Sequence, residues 1–153
     1  MQALLVPTHL TGESHAQVEF ACDLARKFPL RLHLLHVTED HVGRQDRENH
    51  AVSITRRLEA LVPDDLAGRA TVQVRTGETV PTIVQSAREL SVSCIVMGEH
   101  TRGPVKRWLT HDTSRAVLHE ASCPVWYVPA AKTPLSLSRF ALSTKKSILW
   151  GNV

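Results

Sequence analysis

The sequence predicts an α/β domain, a doubly wound five-stranded parallel sheet with helices on both faces. Three observations carry that expectation. Residues 3–6 (Ala-Leu-Leu-Val) and 92–97 are short, strongly apolar runs, as expected of strands buried on both faces. Five strand-like segments alternate with four of helical spacing, which implies right-handed crossovers. A chain of 153 residues is one domain's worth, long enough for a real core.

The first strand ends at Pro7, and Thr11-Gly12 break the pattern. Ser14 with Gln17 three residues on reads as a capping box. Val18, Ala21, Cys22, Ala25 and Phe28 then keep helical spacing up to Pro29. Residues 32–37 form the second strand. The stripe Ala51, Ile54, Leu58 and Leu61 forms the next helix, which stops before Pro63. Ala70, Val72 and Val74 alternate with polar residues, which puts the third strand near the sheet edge. Gly77 turns the chain, and Ile83, Val84, Ala87 and Leu90 make a helix that tolerates Pro81 in its first turn. The fourth strand, 92–97, leads into a polar loop, 98–104. A last helix over 113–120 leads to a fifth strand, 124–128. The first and fourth strands, the most apolar, are expected side by side at the centre. Ligands of such sheets bind outside the strand carboxyl ends where the strand order reverses, which puts residues 8–10 and 98–104 at one mouth.

Composition excludes several classes. Hydrophobic residues make up 42% and charged residues 22%, too apolar for disorder. No apolar stretch approaches 18 residues, so no transmembrane segment is expected, and the opening MQALLVP lacks the charge and apolar length of a signal peptide. Three cysteines, Cys22, Cys94 and Cys123, without CxxC spacing, fit buried reduced thiols in a cytoplasmic protein. The formal charge of +3 suggests an anionic partner until it is located. Residues 1–129 hold fourteen basic and fifteen acidic residues, a net −1. The last 24 hold Lys132, Arg139, Lys145 and Lys146 and no acid, a net +4. The body lacks the basic face that nucleic acid requires.

Four segments carry a family resemblance. LLVPTHLTGES, LLHV, VRTGETVPTIVQSA and IVMGEHTRGPVKRWLTHDTSRAVLHEASCPVWYV resemble, in order and spacing, the layout of universal stress proteins over residues 2–129. The resemblance implies a Rossmann-like domain of the adenine nucleotide alpha hydrolase type over 1–129. A basic, partly apolar extension, 130–153, lies outside it.

ATP-binding members of that family hold the nucleoside with a carboxylate after the first strand. They take the phosphates with a Gly-x-x-Gly loop followed, nine residues on, by Gly-Ser. Glycine serves there because backbone must approach phosphate closely. Pro7, Val37, Met97 and Gly98 match the binding positions. His9 replaces the aspartate, Thr101 the second glycine, His111 the third, Asp112 the serine and Thr113 the final valine. Asp112 puts negative charge where triphosphate would lie, so tight ATP binding is not expected. Arg102 and Gly103 still leave a polar glycine loop, read first as a tight turn and second as a weak anion or nucleotide site.

His9, His100, His111 and Asp112 could converge at the mouth as zinc-type ligands, but no HxH, HxxxH or HExxH spacing organises them. His33 and His36 read as packing or capping residues within a strand. No G-x-S-x-G elbow, Walker loop or dinucleotide fingerprint is present, so the domain reads as non-enzymatic and without a required cofactor.

Val125, Trp126, Tyr127 and Val128 form an apolar, aromatic edge strand that invites another strand. The resemblance implies a homodimer through it. The bland alternative is an edge covered by the chain's own tail. In that tail Leu135-Ser-Leu-Ser alternates like a strand, the segment from Phe140 reads as a short amphipathic helix, and the whole could pack on the domain, swap onto a dimer mate, or dock on another protein or an acidic membrane surface. The leading expectation is a cytoplasmic, homodimeric stress-response module acting through protein partners. The alternatives are an ATP- or AMP-binding switch and a metal-dependent activity.

Overall fold

The computed structural model describes residues 2–10, 15–38, 44–98, 111–129, 141–144 and 147–149, without the side chains of 44–47, 111–112, 141–144 and 147–149. The elements in chain order are β1 (Gln2–Pro7), α1 (Ala16–Lys27), β2 (Leu30–Thr38), α2 (Arg44–Glu59), β3 (Ala70–Thr76), α3 (Thr79–Glu89), β4 (Cys94–Gly98), α4 (His111–Glu120), β5 (Val125–Val128), β6 (Ala141–Thr144) and β7 (Ser147–Leu149). A short 3-10 helix, Asp64–Arg69, leads into β3. The described strands form one sheet in the order β3-β2-β1-β4-β5-β6-β7.

The five expected parallel strands are all there, with β1 between β2 and β4 and β3 at one edge. Burial explains the order. From Ala3 to Pro7 every residue of β1 is buried, and so is every residue of β4, so both need cover on two faces and neighbours on two edges. On one face α1 lays Ala21, Leu24 and Ala25 over Leu4, Val6, Leu34 and Val96, with Phe20 packed on Trp126 at a ring separation of 5.6 Å. On the other, Ile83 of α3 and Val117 of α4 cover Leu5, Val37, Ile95 and Met97. The polar α2 contributes only Ile54 and Leu58, which pack with Leu10 against Val72 and Val74.

Three local expectations are corrected. The capping box is not placed as expected: α1 starts at Ala16 with His15 at its N-cap, no side chain among the described residues caps it, and Ser14 lies outside them. Gln17 is buried and turned towards the end of β1 instead, because a polar side chain there finds a tertiary partner. The tail segment after Phe140 is not a helix. It forms two antiparallel strands: β6 pairs with β5 and β7 with β6, which extends the sheet to seven strands. Consequently Val125, Trp126, Tyr127 and Val128 are not at an open edge. Unpaired N–H and C=O groups along β5 are worth more as a ladder than the weak local preference of a short helix. The Leu135 segment lies outside the described residues.

α3 ends in a left-handed residue. Ser91 has φ 48°, and the Val92 N–H reaches the Ala87 carbonyl across it, a closing turn that glycine usually supplies. At the amino ends of the strands, opposite the mouth, a cavity of about 740 Å³ is lined by Leu4, Leu24, Leu30, Cys94 and Trp126, with the exposed Phe28 at its side. Among the described residues no helix is long and apolar enough to cross a membrane.

Candidate functional site

The strand order reverses between β1 and β4, and their carboxyl ends carry the chain into residues 8–10 on one side and Gly98 on the other. Thr8, His9 and Leu10 are all buried, at 2, 8 and 7% exposure, so this stretch is packed rather than draped over the sheet. Four contacts hold it. The Thr8 N–H donates to the Leu35 carbonyl at 2.8 Å, extending the β1–β2 ladder by one bond. The Gln17 amide donates to Thr8 Oγ1 at 3.4 Å. His36 Nδ1 lies 3.0 Å from the Thr8 carbonyl. Arg57 of α2 donates to the Leu10 carbonyl. The His9 ring lies 6.1 Å from that of His36, centre to centre.

Gly98 completes the mouth for a steric reason. A Cβ built there would fall 2.5 Å from Gln17 Oε1 and 2.7 Å from its Cδ, so a side chain at this position would displace the Gln17 amide from its place beside Thr8. Gly98, Gln17 and Thr8 are thus one contact chain across the switch point.

A carbonyl can only accept, so the bond to Thr8 requires the proton of neutral His36 on Nδ1. Burial pushes the His36 pKa down from the usual 6.5, outweighing the help of that hydrogen bond, and electrostatic repulsion from the His50 and Arg57 side chains acts the same way. His33, bonded through Nδ1 to Thr71 Oγ1 at 2.7 Å, is lowered too, first by burial and then by Arg31. Both groups bind protons more readily when unfolded. Their contribution to stability is therefore complete above about pH 6.5 and is lost as the pH falls through it towards the lower folded values. The urea midpoint is expected to drop between pH 7.5 and 5. His36→Asn, which keeps an N–H for Thr8, is expected to flatten that drop; an unchanged profile would show that His36 is not buried neutral. The window avoids Asp65 and Glu89, whose pKa values are held low by Arg26 and Arg75 and whose protonation acts at lower pH.

Of the expected nucleotide-binding residues, the structure brings Pro7, His9, Val37, Met97 and Gly98 to the carboxyl ends of adjacent strands. Val37 and Met97 are 2 and 0% exposed and belong to the core under α3, so their side chains are packed inside the domain. Arg102 and Gly103 lie outside the described residues. Of the metal quartet, His9 is described, His100 lies outside, and His111 and Asp112 are placed by backbone only, as the opening residues of α4. Among the described residues no cluster of three metal-ligating side chains occurs.

Three participants escaped the sequence reading. Thr8 was placed at the mouth without a role. Gln17 had a visible signal, as a polar residue four and seven positions before Ala21 and Leu24 on the core-facing stripe. Ser114, in the first turn of α4, is 8% exposed and its Oγ has no hydrogen-bond partner among the described residues. α4 carries the chain back from the carboxyl end of β4 to the start of β5, so this orphaned hydroxyl stands at the mouth's end of the sheet. The cysteines behave as expected of inert thiols: burial raises all three pKa values, that of Cys94 to about 12.

Known proteins match this architecture. A universal stress protein UspA from Lactobacillus plantarum is similar at 19% identity and a TM-score of 0.65, over 85% of this chain and 97% of that one. A universal stress protein from Archaeoglobus fulgidus in complex with dAMP is similar at 15% identity and a TM-score of 0.59, over 86 and 98%. A universal stress family protein from Burkholderia pseudomallei is similar at 20% and 0.64, over 84 and 96%. No curated protein sequence matches. At these identities the structures speak for the fold, but the family model named "Universal stress protein family" matches residues 1–129, most of the chain. The chain belongs to the universal stress protein family.

Proposed function

We propose that this protein is a cytoplasmic, non-enzymatic binding module of the universal stress type, working through protein contacts and without tight ATP binding. The observation that carries the reading is the start of α4. The helix begins at His111, so Asp112 stands in its first turn, where free N–H groups and the helix dipole favour an anion. An aspartate at that backbone position brings a like charge to the place a triphosphate would take, which disfavours it there. His9, at the place of the family's nucleoside-holding carboxylate, is buried and turns no acid to a ribose.

The nucleoside half of such a ligand fits better than the phosphate half. Val37, Met97 and Gly98 stand at or near the carboxyl ends of adjacent strands, and Ser114 Oγ has no hydrogen-bond partner among the described residues. With the dAMP complex of the Archaeoglobus relative and a cAMP complex of another universal stress protein, this supports a second reading, a nucleotide switch for a monophosphate. Calorimetry with ATP and AMP separates the two. No heat from either at millimolar ligand is expected; a dissociation constant below about 1 mM for ATP would sink the first reading.

A homodimer through β5 also belongs to this proposal. It requires β6 to leave the edge it occupies, since one side of a strand pairs with one partner at a time.

A further inference from the structure

The β6–β7 hairpin is the one part of the sheet that the family model, ending at residue 129, does not include. Its hold on β5 is short: Val125, Trp126 and Tyr127 stand opposite Ser143, Leu142 and Ala141. Three further pairs join β6 to β7, and a two-stranded hairpin of this size has little stability of its own in water. The tether is long by comparison. β6 starts beside Tyr127, yet twelve residues, 129–140, separate it from the end of β5. A hairpin connection needs about 2–5 residues, and twelve reach about 40 Å when extended. A short ladder joined to β5 through twelve residues has chain length enough to leave and return without disturbing the strands that carry the core.

What it would uncover fits one occupant. Read antiparallel to itself, Val125-Trp126-Tyr127-Val128 pairs valine with valine and aromatic with aromatic, so two copies related by a two-fold axis meet as a self-complementary ladder. Both valines are buried and both aromatics half-buried, so the strand is already held straight by its own core. The charge pattern suits an exchange: all four tail cations lie on the departing segment, outside the near-neutral body.

We propose that the β6–β7 hairpin is an exchangeable guard of the β5 edge: docked, it keeps the chain monomeric; released, it yields the edge to the β5 of a second copy. This rests on the fifth-strand dimer proposed above and adds to it the element that controls it. Effectors that draw the basic hairpin away, such as an acidic protein surface, would promote the dimer.

The test uses full-length protein and light scattering after gel filtration. The unmodified chain is expected near 17 kDa and Leu142→Pro/Ile148→Pro, which breaks the hairpin ladder, near twice that mass at tens of micromolar. Adding Tyr127→Lys, a charge on the edge, is expected to return the variant to the monomer. Hydrogen exchange supplies a second readout that does not depend on the proline variant folding well. Amides 125–128 of the unmodified chain should exchange at the same rate at low and high protein concentration. Those of the proline variant should gain at least about tenfold protection as concentration rises. If the unmodified chain and the proline variant are both dimeric and Tyr127→Lys dissociates them, the guard is refuted while the dimer stands. If every form is monomeric, the fifth-strand dimer fails and the guard with it. A dimer of the unmodified chain that the prolines dissolve would mean that the hairpin is itself the joint, and would also overturn the proposal.

Discussion

Leu5→Ala is expected to cost about 2–5 kcal/mol of stability, the range for emptying a buried leucine site that collapses only in part. Leu5 is fully buried in the central strand, opposite His33 of β2 and Ile95 of β4, beneath α3 and α4. Neither flanking strand can move in to fill the space, because both are hydrogen-bonded to β1 at fixed spacing. A domain of this size has about 5–15 kcal/mol in all. Each kilocalorie is worth about 2–4 °C in the melting midpoint, so a fall of about 5–20 °C is expected by calorimetry or circular dichroism. Val52→Ala is the control. Val52 is 53% exposed on α2, and its loss should stay within about 0.5 kcal/mol. Equal effects of the two substitutions would contradict the central placement of β1.

The second large effect concerns ligand affinity. His111→Gly with Asp112→Ser should tighten AMP and ATP binding by at least about tenfold. Two like charges 4 Å apart interact by about 4 kcal/mol at an effective dielectric of 20, and screening leaves a part of that. Even about 1.4 kcal/mol is a factor of ten. Asp112→Asn isolates the charge, and its gain should shrink as salt rises. The same calorimetric titration, run on the three proteins side by side, reads all of this. Unchanged affinity in both variants would mean that phosphate does not approach the start of α4, and the account of the altered site would fall with it.

Much of the fold was legible because its signals are local. The apolar runs of β1 and β4 and the stripes of α1 and α3 state which faces are buried, and the alternation of β3 states that it lies at an edge. What escaped depends on partners distant in sequence. Gln17 has the spacing of a capping residue, but Thr8, nine positions earlier, offers a buried hydroxyl that a solvated cap does not. His36 is one polar residue in an apolar strand, and nothing around it announces the Thr8 carbonyl 28 positions away. The tail from Phe140 has an amphipathic look, yet its state is decided by the open side of β5, a long-range contact that no periodicity contains. Ser114 is ordinary in sequence and unusual only by being buried without a partner among the described residues.

The position of β1 has a kinetic consequence. Of the five parallel strands the earliest in the sequence, β1, lies in the middle, and its partner on one side, β4, is synthesised about ninety residues later. At about 5–20 residues per second that gap lasts roughly 5–20 s. β1 and β2 can meet early, but the other edge of β1 stays bare until Cys94 and Ile95 emerge and the long loop closes. The nascent chain thus carries a strand apolar from Ala3 onward, with one open side, until β4 emerges, and it is in that interval, more than in the finished molecule, that the protein is exposed to misassembly.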